Sequence, residues 1–195
     1  MQIKEIRVYD YEELSENAKA RARDWYREGG LDYDWYDSLF DWAKQAGACL
    51  GVQVDDIRFS GFWSQGDGAS FTGTYRYRPG WRVALRAEFG GEALAELERI
   101  GSVLQAAQMP VFYKGSAVVS QRGRYCHEYS ADIECDPSTT SFEADTQEAL
   151  RDFMRWVYTQ LGREYEYLVA DGTVEEAILA NGYEFTSDGK IFIDR

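Results

Sequence analysis

The hydrophobic period of this chain switches repeatedly between helical and strand spacing along its length, and those switches limit the fold more than any other feature. Apolar residues recur at helical spacing from residue 11 to 51, alternate from residue 52, and return to helical spacing near residue 91. In the first stretch, YEELSENAKARARDWYREGG sets Tyr11, Leu14, Ala18, Ala22 and Trp25 on one face, and Gly29-Gly30 predicts the stop. The next segment, DYDWYDSLFDWAKQAGACLG, predicts a second helix. Its stripe is Trp35, Leu39, Trp42, Ala43, Ala46 and Leu50, closed by Gly51. Ahead of both helices, Ile3, Ile6 and Val8 predict a short opening strand.

The alternating region reads as a meander. Ile57, Phe59, Gly61 and Trp63 alternate with Arg58, Ser60 and Phe62, and after SQGDG the alternation resumes through Ala69, Phe71, Gly73, Tyr75 and Tyr77. Arg78-Pro79-Gly80 predicts a turn into a third strand of Trp81, Val83, Leu85, Ala87 and Phe89. GEALAELERIGSVLQAAQ predicts a helix over 91–108, ended by Pro110. The segment after it reads as a hairpin turning near Gly123, with Tyr125, His127, Tyr129, Ala131 and Ile133 on one face. A long amphipathic helix is expected from Asp145 toward Leu168, then a short one over Thr173 to Leu179 and a small hairpin around Asp188-Gly189. The predicted fold is α+β, a single domain over residues 1–195. It has an antiparallel meander sheet of about five strands, two N-terminal helices, one inserted helix and a long C-terminal helix, packed mainly on one face.

Charge narrows the function. With 34 acids against 21 bases the net charge is −13, which repels nucleic acid and anionic membranes and favours a basic protein as partner. Residues 10–41 hold ten acids and four bases, whereas residues 58–124 hold nine bases and five acids. The densest acidic row is Asp32, Asp34, Asp37 and Asp41, opposite the apolar stripe of the second predicted helix. No run of about 18 apolar residues occurs, and MQIKEIRVYD lacks the apolar core of a signal peptide, so the cytosol is the expected compartment.

Chemistry-bearing motifs are sparse. The SQGDG turn offers two glycines, an amide and a carboxylate framed by Phe62 and Trp63. It either turns a hairpin, with Asp67 bonding its own backbone, or presents Phe62, Trp63, Gln65 and Asp67 to a partner. It has no Lys and opens no helix, unlike a phosphate loop, and one Asp falls short of a calcium loop. His127 is the one histidine, Cys49, Cys126 and Cys135 match no zinc spacing, and no GxSxG occurs. The expectation is therefore no enzyme, no metal and no cofactor.

Three segments together resemble a known group: LSENAKARARDWYREGGLDYDWYDS, FSGFWSQGDGASFTG and EYEYLVADGTVEEAILANGYEFTSDGK. They are similar to a family of small acidic bacteriophage and prophage proteins, whose members have no assigned function or are described as "antitoxin of toxin-antitoxin stability system". The resemblance implies a phage-encoded anti-defence inhibitor, of anti-CRISPR or anti-restriction type, in the host cytosol. Its acidic face would imitate nucleic acid toward a basic host protein or nucleoprotein defence complex. An antitoxin-like neutraliser of a small toxin, using an apolar groove, is the alternative.

Overall fold

The structure is a computed structural model that describes residues 7–29, 31 and 33–193. The opening-strand residues Ile3 and Ile6 lie outside it, as do Gly30 and Asp32. The chain forms two compact units, one from residues 1–35 and 163–195 and the other from residues 36–162.

The first unit joins the two ends of the chain. β1 (Tyr9–Asp10) pairs antiparallel with β6 (Glu184–Phe185), with Tyr9 opposite Phe185. A 3-10 turn over Tyr11–Glu13 leads into α1 (Glu16–Gly29), which packs against α6 (Asp171–Asn181). The helical spacing read in 11–29 is thus split by the turn, because Leu14 adopts an extended backbone at φ −72° and ψ 149°. Tyr11, Leu14, Ala18, Ala22, Tyr26, Val174, Ile178 and Phe185 form the buried core. Tyr11, Arg23 and Glu175 close a polar network within it. The tyrosine hydroxyl donates to Glu175 Oε1 at 2.8 Å, and Arg23 Nη1 donates to both, at 2.9 and 2.7 Å. Burial, reinforced by the Glu175 carboxylate, raises the Tyr11 pKa. The hairpin expected at Asp188-Gly189 is present: Gly189 has φ 81° and lies so close to the Ala18 carbonyl that a Cβ would overlap it.

The second unit is a four-stranded antiparallel sheet in the order β2-β3-β4-β5. The strands are β2 (Val52–Ser60), β3 (Gly68–Arg76), β4 (Ser116–Gln121) and β5 (Ala131–Asp136). One face carries Val52, Val54, Ile57, Phe71, Tyr75, Val119 and Ile133, all buried. A bulge at Asp55 and Asp56 keeps Val54 and Ile57 on that face despite their odd spacing. The other face is open and polar, with Thr74, Val118 and Glu134 exposed in one cross-strand row.

The helices of this unit are α2 (Asp37–Leu50), α3 (Trp81–Glu88), α4 (Gly91–Gln108) and residues 140–162 of α5 (Thr140–Val169). Phe153 of α5 meets Phe71 edge-on at 5.7 Å between ring centroids, and Tyr75 donates to the Leu104 carbonyl of α4 at 3.3 Å. Gly51 ends α2 at φ 84°, as the sequence predicted.

Three expectations need correction. The segment 81–89 is a helix, so the large sheet has four strands and two helices, not one, are inserted. Trp81, Leu85 and Phe89 are buried, but Val83 is 75% exposed; every second member of the alternation faces solvent, leaving an i, i+4, i+8 helical stripe. Trp81 reaches its place because Gly101 of α4 has no Cβ to overlap the indole ring. The second helix begins at Asp37, not at residue 32. Finally, Tyr125, His127 and Tyr129 belong to the loop between β4 and β5, and only Ala131 and Ile133 of that proposed face lie on a strand.

Candidate functional site

The β2–β3 loop, residues 61–67, is built around Asp67. Its Oδ2 accepts the backbone N–H of Trp63 at 3.0 Å and of Ser64 at 2.7 Å, while Asp67 N–H donates to the Ser64 carbonyl at 3.1 Å. Gly66 supplies the positive φ of 93° that this turn requires. A Cβ on Gly61 would sit 2.8 Å from the same carboxylate oxygen. Phe62 stacks on Tyr158 of α5 at 5.5 Å, and Tyr158 donates to the Gly61 carbonyl at 3.1 Å. Phe62 and Asp67 therefore hold the loop together, whereas Trp63, 75% exposed, and Gln65 stand at its surface.

The β4–β5 loop lies at the same end of the sheet, since a Cβ on Gly68 would come 2.6 Å from His127 Cβ. His127 Nδ1 accepts the Tyr129 N–H at 3.1 Å, a local turn bond. Tyr125 and Tyr129 beside it are exposed. All three cysteines are free; Cys49 is buried and the other two are half-buried. Burial pushes the Cys135 thiol up to about 11, which suppresses the thiolate. Among the described residues, no three His, Cys, Asp or Glu side chains gather as a metal site would require.

The acidic row is distributed differently from the sequence reading. Asp32 is outside the described residues, Asp34 is exposed in the first unit ahead of α2, and only Asp37 and Asp41 lie on the helix, both exposed. Asp37 occupies the first turn of α2, where a negative charge favours the helix dipole. The stronger imbalance belongs to the first unit, whose sequence holds 17 acids and nine bases. Lys19, Arg21, Arg23, Arg27 and Lys190 are all engaged in ion pairs inside it. Glu12, Glu28, Glu166, Glu176 and Glu184 are exposed and have no cation within 4.0 Å among the described residues. Asp10 and Glu184 even stand opposite one another in the β1–β6 pair, a like-charge juxtaposition.

A second site was not read from the sequence. At the other end of the sheet a cleft of about 430 Å³ is lined by Arg76, Tyr77, Tyr113, Lys114, Gly115, Ser116 and Asp136. Register explains the floor: Arg76 lies opposite Ser116, and Ser116 opposite Asp136, so a cation, a hydroxyl and a carboxylate form one row across three strands. The wall is the connection after α4, where consecutive residues Phe112 and Tyr113 adopt left-handed backbone, φ 54° and 60°. Such geometry costs about 1–3 kcal/mol per non-glycine residue and persists only where its surroundings enforce it.

Here they do. Tyr113 N–H donates to the Gln108 carbonyl at 2.9 Å, and the fully buried Gln108 amide clasps Gly115 through its N–H and C=O, at 3.0 and 2.8 Å. Gly115 in turn presses on the Phe142 ring, leaving no space for a Cβ. The Tyr77 and Tyr113 rings meet at 4.5 Å and 45°. Among the described residues, neither Arg76 nor Lys114 has a carboxylate within 4.0 Å. The signal in the sequence was the run VFYKG after Pro110, which the alternation rule absorbed into a strand although β4 starts only at Ser116.

Searches of curated proteins and of solved structures each return no match. A family profile does match, over residues 35–171, a span that contains the whole second unit with both of its loops, the cleft and α2. By that match the chain belongs to the family described as Domain of unknown function (DUF8835).

Proposed function

We propose that the protein is a stoichiometric inhibitor that binds a basic host protein or nucleoprotein defence complex, as its resemblance to phage accessory proteins implies. The observation that carries this reading is the first unit's charge. Its described bases are largely consumed by internal ion pairs, while exposed Glu12, Glu28, Glu166, Glu176 and Glu184 have no cation within 4.0 Å among the described residues. Uncompensated surface carboxylates raise the rate of encounter with a cationic surface and discriminate against nucleic acid itself. In the second unit, the exposed Asp37, Asp41, Trp63 and Gln65 would add their own contacts.

The test is phage plating on bacteria that carry a defined CRISPR or restriction system, with and without this chain expressed. Plating should recover by about a hundredfold or more. A variant with Glu12, Glu28 and Glu176 changed to Lys should lose most of that recovery while keeping its circular dichroism, since each lost charge contact is worth up to a few kcal/mol. No recovery against any defended host, or full recovery by the reversed variant, would reject the proposal. A complex whose affinity is unchanged by salt would instead favour the antitoxin-like reading, for which the exposed Trp63, Tyr125 and Tyr129 supply apolar surface.

A further inference from the structure

We propose that the cleft at the Arg76–Ser116–Asp136 end of the sheet binds a nucleoside monophosphate, or the terminal nucleotide of a small molecule that contains one. Three observations carry this. Arg76 and Lys114 face the same space without carboxylate partners among the described residues, and Ser116 adds a hydroxyl between Arg76 and Asp136. That set suits a phosphate, which takes three or more donors, better than a single carboxylate. Tyr77 and Tyr113, in mutual contact at 4.5 Å and 45°, both line the cleft and give it aromatic surface of the kind on which a planar base stacks. Asp136 supplies an acceptor for a ribose hydroxyl or an exocyclic amine.

The size agrees. A volume of about 430 Å³ lies at the small end of ligand sites, enough for one nucleotide and too little for a helix or strand of a partner protein. The backbone also supports the assignment. Phe112 and Tyr113 are held in left-handed conformation by the Gln108–Gly115 clasp, and strain maintained this way is found where a loop must present a side chain to a ligand. The cleft lies wholly within the second unit and the family-matched span.

The experiment is an NMR titration of the full ¹⁵N-labelled chain with AMP, adenosine and inorganic phosphate in parallel. AMP should give saturable shifts at residues 76–77, 113–116 and 136. Adenosine and phosphate should each bind at least about tenfold more weakly, since each offers only half of the contacts. Arg76→Gln and Lys114→Gln should each weaken AMP about tenfold, the loss of one charge-assisted hydrogen bond. Tyr113→Gly removes the ring at a backbone position that glycine prefers, so the fold should persist while AMP affinity falls by a similar factor. Absence of saturation up to about 10 mM, or shifts confined to other residues, overturns the proposal. Phosphate binding as tightly as AMP overturns the nucleoside assignment. Saturation by a polyglutamate peptide and not by AMP assigns the cleft to an acidic protein partner instead.

Discussion

Asp67 shows how a residue that looks like a ligand group can be consumed by its own loop. Its carboxylate satisfies two backbone N–H groups, and Gly66 carries the one positive φ of the turn. Asp67→Ala should lower unfolding free energy by about 1–2 kcal/mol and Gly66→Ala by about 1 kcal/mol, read from denaturant midpoints at constant m-value. Both variants melting like the parent yet losing partner binding would show that the loop is a contact site first. Tyr75 provides a second test at this scale. It is 1% exposed, and burial raises its hydroxyl to about 12 from the ordinary 10. A raised folded pKa means that the neutral form stabilises the fold fully below pH 10, and that this stability is lost as pH rises toward 12. The parent should lose up to about 2–3 kcal/mol across that window relative to Tyr75→Phe, measured by urea unfolding at each pH. The sequence already suggested the turn role of Asp67, because Gly-Asp-Gly between alternating strands is a local signal. It could not reveal Phe112 and Tyr113, since no local preference places two aromatic residues at positive φ; the Gln108 clasp imposes it.

At the scale of elements, α3 separates two readings of one pattern. Trp81, Leu85 and Phe89 satisfy both a period of two and a period of four, and only burial distinguishes them. Val83→Lys should change stability by no more than about 0.5 kcal/mol, because its side chain is in solvent. Leu85→Ala should cost about 2–5 kcal/mol, since Leu85 is fully buried. A strand with both residues on its inner face would lose heavily from either change, so comparable destabilisation would refute the helix. The long helices were legible because their stripes are sustained over many turns, as with Leu150, Phe153, Met154, Val157 and Leu161 of α5. The Tyr125–Tyr129 alternation was too short to decide by itself, and that segment became a loop, with the Gln121 side-chain amide and the Ser130 hydroxyl both donating to the Tyr125 carbonyl.

For the whole molecule, the pairing of the two chain ends is the main organisational fact. Val174, Ile178 and Phe185, each fully buried, complete a core begun by Tyr11, Leu14 and Ala18. Deleting residues 172–195 should therefore unfold α1, read as loss of hydrogen-exchange protection at residues 16–29, while amides of β3 and β4 stay protected. Protection retained in α1 would show that its stability does not depend on α6. The sequence alone determined the long helices, the acidic balance and the hairpin at SQGDG, because each follows from sustained periodicity, composition or turn chemistry. The tertiary structure decided the rest: which alternating residues face inward, where Tyr11 meets Glu175 164 positions away, and that Arg76, Ser116 and Asp136 share one row. Those outcomes depend on strand register and on contacts between segments far apart in the chain, and no local pattern encodes either.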